Sequence, residues 1–287
     1  MIIPKPHAGD PLSDFRNFLT LAWKHLGLPK PTPVQYDIAH YPQFGPRRQI
    51  IEAFRGVGKS WITSAFVCWL LYMNPQLNIL VVSASKIRAD DFSTFTLRLI
   101  MEMEVLAHLK PKEGQRSSKV AFDVGPARAS HAPSVKSVGI TGQLAGSRAD
   151  IIIPDDVEVP NNSATQTMRD KLKEAVKEFD AILKPGGSIC FLGTPQTEMS
   201  LYNILTQRGY SKSVWPVYYI DPVEIDLYGG QLAPMYEERI AENAKLVGKS
   251  VDPTRFSEFD LIERELSYGR SGFAMQFMLN PRFSDAN

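Results

Sequence analysis

A chain of 287 residues with 44% apolar and 22% charged residues has ample material for a sizeable core and the composition of an ordinary globular protein. Its formal net charge of +1 excludes a surface coated in basic residues, so any contact with nucleic acid has to come from a local patch. Two cysteines, Cys68 and Cys190, exclude a disulfide or zinc framework and read as buried thiols in a reducing compartment.

The N-terminus, Met1-Ile2-Ile3-Pro4-Lys5-Pro6, is short and broken by proline, unlike a signal peptide. Residues 11–26 carry Leu12, Phe15, Phe18, Leu19, Ala22, Trp23 and Leu26 at the spacing of one helical face. A joint rich in proline (Pro29, Pro31, Pro33) follows, and then Gln35. A glutamine amide both donates and accepts, so Gln35 is expected to read an adenine edge. A plain proline-rich linker is the competing reading.

Strands and helices then alternate. The predicted strands are 49–54, 78–83, 135–140, 151–154 and 188–192; the predicted helices are 59–72, 87–106 and 165–183, the last capped by Ser163 with Gln166. Runs such as Ile79-Leu80-Val81-Val82 and Ile151-Ile152-Ile153 are continuously apolar, which marks parallel strands buried on both faces. The pattern predicts a three-layer α/β fold. The longest apolar stretch, Trp61 to Met73, is too short to span a bilayer, so a soluble intracellular protein is expected.

Between the first strand and its helix lie Arg55, Gly56, Val57, Gly58, Lys59 and Ser60. Strand, glycine-containing turn, then Lys-Ser opening a helix is the architecture of a phosphate cradle, although Ala53 stands where the full pattern has glycine. Backbone N–H groups and the helix dipole favour the anion. Lys59 is expected to reach the outer phosphates and Ser60 to ligate Mg²⁺. Segment 108–134 is polar and weakly patterned and reads as a loop with a short hairpin. Its Lys110, Lys112, Arg116, Lys119 and Arg128 either touch a polyanion or are simply solvated.

The run Ile151-Ile152-Ile153-Pro154-Asp155-Asp156-Val157-Glu158 supplies the carboxylates such a cradle needs. Pro154 is expected to end the strand's ladder, so the acids emerge where open α/β sheets bind ligands. Asp155 is the natural metal partner, and Asp156 or Glu158 would orient the attacking water. Arg55 in the turn and Arg148 in the loop before the acidic strand are the candidate cations for the developing charge; Arg148 serves its own site or a neighbour's. Gly193-Thr194-Pro195-Gln196 follows another apolar strand, where Thr194 and Gln196 can sense loss of the terminal phosphate. Beyond residue 200 the pattern is mixed, with a strand at 213–220 and helices at 234–247 and 257–268.

Taken with Gln35 and the run Gln276-Phe277-Met278-Leu279-Asn280-Pro281, these motifs resemble the ATPase part of the large terminase subunit of tailed bacteriophages, most closely the podovirus version. The resemblance covers essentially the whole chain. An arginine opening the cradle is typical of that family. It implies a RecA-like P-loop (ASCE) α/β fold, a central mostly parallel sheet flanked by helices with a small C-terminal lid. The division expected is a core over 1–199, with an N-terminal adenine-binding segment over 1–45, and a lid over 200–287. The resemblance further implies an ATP- and Mg²⁺-dependent motor that pumps double-stranded DNA into a procapsid in the host cytoplasm. Its implied partners are the portal protein, the small terminase subunit and further copies in a ring, a pentamer; a nuclease domain is expected beyond Asn287. Many members carry Asp-Glu where this chain has Asp155-Asp156, which leaves the water-activating carboxylate open between Asp156 and Glu158. Pro-Thr-Pro-Val-Gln also opens two-lobe helicases, but 200–287 is too short for a second lobe. A non-hydrolysing portal-docking scaffold has only Asp156 in its favour.

Overall fold

The computed structural model describes residues 2–284; Met1 and residues 285–287, the end of the expected lid, lie outside the described residues. In chain order the elements are α1 (Phe15–His25), α2 (Pro33–Phe44), β1 (Arg48–Ala53), α3 (Lys59–Met73), β2 (Ile79–Ser83), α4 (Lys86–Glu102), β3 (Ala121–Phe122), β4 (Val135–Gly139) and β5 (Ala149–Asp155). There follow α5 (Pro160–Ser163), α6 (Gln166–Ile182), β6 (Leu183–Gly193), α7 (Leu201–Gln207), β7 (Ser211–Trp215), α8 (Met235–Glu242) and α9 (Glu258–Gln276).

The seven strands form one sheet in the order β3-β4-β2-β5-β6-β1-β7. All pairs are parallel except β3 with β4. Alternate residues of the apolar strands bury on opposite faces, as the two-residue period requires. Ile79, Val81, Ile151 and Ile153 join the core under α1–α4, while Leu80, Val82 and Ile152 join the one under α6 and α7. The continuous apolar runs thus reflect helices on both sides of the sheet.

Four expectations need correction. Pro154 does not end its ladder: β5 continues to Asp155, with Pro154 opposite Val82 and Asp155 opposite Ser83 on one side and Leu192 on the other. Proline lacks only a donor; its neighbours keep their own groups in register. Helix α6 is capped by Thr165, whose side chain accepts from Met168 N, and not by Ser163, which closes the short α5. The boundary expected after residue 199 falls inside the sheet region, because β7 pairs with β1. The irregular, mostly helical layer begins after Trp215. Its Val217, Tyr236, Phe256, Phe273 and Phe277 belong to the same continuous core as α1–α4. Fourth, the strand expected over 213–220 stops at Trp215.

Segment 108–134 holds the short β3, and a bridge between Ser117 and Phe122 makes the expected hairpin a small one. Lys110, Lys112, Lys119 and Arg128 are exposed there, whereas Arg116 pairs with Asp123 at 2.9 Å. No helix among the described residues is long and apolar enough to cross a membrane.

Candidate functional site

The β1–α3 turn, the end of β5 and the end of β6 meet at the carboxyl edge of the sheet. The turn needs glycine: Gly56 has φ 91° and Gly58 has φ 101°, both in the left-handed region that side chains disfavour. Helix α3 then starts at Lys59, and its first N–H groups have no intrahelical partner, as at any helix N-terminus. Such a turn can hold an anion.

Lys59 is 5% exposed. Its Nζ donates to Thr194 Oγ1 at 2.8 Å and to the Ala53 carbonyl at 3.4 Å, and lies 3.9 Å from Asp156 Oδ1. Thr194 in turn donates to the Ala53 carbonyl at 2.8 Å. One buried ammonium therefore joins all three sequence motifs. Gly193 is needed where β6 ends, since a Cβ there would lie 1.9 Å from the Tyr202 hydroxyl.

Asp155 is buried at the end of β5. Burial, and next the neighbouring Asp156 carboxylate, push its carboxyl up to about 7, opposed by a hydrogen bond from the Ser60 side chain. Among the described residues its Oδ1 has no hydrogen-bond partner. A buried carboxylate oxygen without a donor, beside a serine hydroxyl, is chemistry suited to a hard cation. No cluster of three or more His, Cys, Asp or Glu that would hold a metal by itself occurs among the described residues.

Two cavities, of about 500 and about 470 Å³, meet at Ser60, Trp61 and Asp156. The first is lined by Thr32, Gln35, Gly58, Lys59 and Arg255, the second by Ser64, Ser83, Arg88, Asp91 and Asp155. Asp156 stands between them with φ 47°, a left-handed conformation that aspartate tolerates better than most residues. Its side chain is 31% exposed.

Other candidates are arranged differently from the sequence reading. Glu158 is buried, and its carboxylate accepts from Gln196 N at 2.9 Å and Leu201 N at 2.6 Å, fixing the start of α7. Burial raises its pKa against those hydrogen bonds. It lines neither cavity. Gln35 reaches the cradle, but its amide is committed to the backbone: Oε1 accepts from Thr32 N at 3.1 Å and Nε2 donates to the Val57 carbonyl at 2.9 Å. It props the turn and at the same time lines the first cavity. The Arg55 guanidinium donates to Gln276 Oε1 at 2.9 Å and lines neither cavity. Arg148, at the opposite end of β5, donates to the Ser147 and Ala181 carbonyls. Seven strand residues separate it from the Asp155 end, roughly 20 Å at the usual rise, so it cannot serve its own pocket.

Among the described residues, the arginines that line the cavities are Arg88 and Arg255, neither anticipated; Lys30 joins the expected Lys59 in the first. Arg88 had a usable signal, three residues into the helix that follows an apolar parallel strand. Arg255 had none, being about 200 residues from the turn it touches. Gln196 links the motifs outward: Nε2 donates to the Thr194 carbonyl at 3.0 Å, and Oε1 accepts from Gln276 Nε2 at 3.2 Å.

A parallel sheet with a glycine turn, a lysine-serine helix start and a carboxylate at the neighbouring strand end defines a P-loop type α/β nucleotide-binding fold. A family model for the terminase large subunit, T4likevirus-type, N-terminal, matches residues 50–209, and the chain belongs to that large terminase subunit family. The large terminase subunit of Enterobacteria phage T3 is 54% identical over 279 residues, covering 95% of this chain and 48% of that protein. The chain thus spans about half the length of that relative. Among solved structures, an arginine-to-alanine mutant of the large terminase ATPase domain of Thermus phage P74-26 matches with a TM-score of 0.50 at 16% identity, covering 90% of this chain and 96% of that one. That likeness supports the fold.

Proposed function

We propose that this chain binds ATP with Mg²⁺ at the β1–α3 turn and hydrolyses it to ADP and phosphate. In this reading the hydrolysis drives double-stranded DNA into a procapsid in the host cytoplasm. The observation that carries the proposal is the convergence on Lys59: its ammonium touches Thr194 and approaches Asp156, while Ser60 and the unpaired oxygen of Asp155 lie beside it.

Lys59 binds the outer phosphates, exchanging its bond to Thr194 for theirs. Ser60 and Asp155 hold the Mg²⁺, which when bound supplies charge neutralisation on the phosphates. Asp156, at the junction of the two cavities, orients the attacking water and accepts its proton. Glu158 acts indirectly, by fixing Gln196 and the start of α7. Thr194 and Gln196 carry the change at Lys59 toward Gln276 and the layer after Trp215, which we take as the lid. Arg88 is the cation that lines the second cavity together with Asp155, and Arg148, exposed on the far edge, is available to a neighbouring subunit in a ring.

The working assembly in this reading is a homo-oligomeric ring, a pentamer, on the portal protein, with the small terminase subunit delivering DNA. The full-length protein would add an endonuclease. The exposed lysines of segment 108–134 are candidate backbone contacts, so binding to DNA should weaken steeply with salt. Phosphate release measured with and without DNA tests the proposal. Wild-type turnover should be lost in Lys59→Ala; turnover undiminished by that change removes the cradle assignment.

A further inference from the structure

An anion-binding turn has two sides. For its N–H groups to face a phosphate, the carbonyls of the same peptides must face away, and there they need donors of their own. In this chain those donors come from outside the motif. Arg255 donates through Nη2 to the Gly56 carbonyl at 2.7 Å and through Nη1 to the Val57 carbonyl at 2.9 Å. Gln35 Nε2 supplies a further donor to Val57.

Arg255 is itself held in place. Its Nη1 lies 3.4 Å from Asp252 Oδ2, a carboxylate with no exposed surface, and its backbone N–H donates to the Asp252 carbonyl. Its guanidinium carbon lies 5.4 Å from the centre of the Phe256 ring. Phe256 in turn packs edge-on against Phe54 at 5.4 Å, and a Cβ on Gly56 would come within 2.9 Å of its ring. The segment from Asp252 to Phe256 is therefore built against the back of the turn, while Arg255 also lines the cavity shared by Lys59, Ser60 and Gln35.

We propose that Arg255 is a positioning residue for triphosphate binding: its two-pronged bond to the Gly56 and Val57 carbonyls holds the turn with its N–H groups facing the anion. The same bond makes the layer after Trp215 part of the nucleotide pocket. This inference rests on the turn binding a triphosphate. A guanidinium suits the role because its planar fork reaches two carbonyls at once, which a single ammonium does not do in that geometry.

The test is titration calorimetry of the purified chain with ATP and, separately, with inorganic tripolyphosphate, both with Mg²⁺, alongside steady-state turnover. Arg255→Ala should weaken both ligands about 10- to 100-fold, and KM should rise about tenfold with kcat changed less than about threefold. Arg255→Lys keeps the charge but loses the fork, so its affinities should stay nearer to those of the alanine variant than to wild type. Should Arg255→Ala fail to fold, Arg255→Lys decides alone. Wild-type affinity in Arg255→Lys would reduce the role to a plain charge and overturn the proposal, as would undiminished binding by Arg255→Ala. Absence of ATP binding by the wild-type chain would instead sink the functional reading beneath it.

Discussion

Replacing Thr194 by valine removes one hydroxyl from the centre of the site and nearly nothing else. In the structure that hydroxyl accepts from Lys59 Nζ and donates to the Ala53 carbonyl, both at 2.8 Å and both buried. A hydrogen bond to a charged group contributes about 1.5–3 kcal/mol, and an unpaired buried carbonyl costs about 1–3 kcal/mol. Lys59 keeps a weaker bond to Ala53 at 3.4 Å and the Asp156 carboxylate at 3.9 Å, which softens the loss. We expect a net destabilisation of about 2–4 kcal/mol without nucleotide, a fall in Tm of about 5–10 °C. Bound ATP gives Lys59 a better partner and restores part of that deficit. Thermal melts should therefore show a lower starting Tm in Thr194→Val and a larger rise on adding Mg²⁺ and a non-hydrolysable ATP analogue than in wild type. An unchanged Tm, or an identical rise in both proteins, would refute the claim that Thr194 and phosphate compete for Lys59.

The two carboxylates that sequence left open separate by opposite responses. Asp156→Asn should abolish turnover while leaving the unfolding free energy from urea melts within about 0.5 kcal/mol of wild type, whereas Glu158→Ala should cost about 2–4 kcal/mol, since it strips the acceptor from two backbone N–H groups. Equal stability of the two variants would overturn that division of roles. For Asp155, a carboxyl raised from 3.8 to about 7 binds a proton more readily in the folded chain than in the unfolded one. Its contribution to stability is complete below pH 3.8 and is lost as the pH rises through about 7. Urea melts of the nucleotide-free chain should thus show a loss of about 2–3 kcal/mol from this group between pH 5 and pH 7.5, absent in Asp155→Asn. Parallel pH profiles for the two proteins would contradict it.

The sheet was legible in the sequence because its strands are buried on both faces, so Ile79–Val82 and Ile151–Ile153 had no polar interruption to hide them. The cradle was legible because its chemistry is local: Gly58, Lys59 and Ser60 act from one turn. What stayed hidden depends on partners distant in sequence. Glu158 matched the expected reach of a catalytic acid, yet Leu201 N and Gln196 N, some forty residues on, claim its oxygens. Arg148 is close to Asp155 along the chain, but an extended strand converts seven residues into the full width of the sheet. Gln35 was found by its spacing, while the Thr32 and Val57 backbone groups that occupy its amide were not visible in that spacing. Nothing near Arg255 marks it as part of the pocket, because its meaning comes from Gly56 and Val57. The expected break after residue 199 followed a change in composition, whereas β7 returns the chain to the edge of the sheet before the irregular layer begins.

The most direct measurement is a crystal structure of the chain with Mg²⁺ and a non-hydrolysable ATP analogue. It should show one ion on the outer phosphates, about 2.1 Å from Ser60 Oγ, facing Asp155 directly or through one water. Lys59 Nζ should have moved from Thr194 onto the phosphates. Nucleotide bound elsewhere, or an ion in contact with neither Ser60 nor Asp155, would contradict the account.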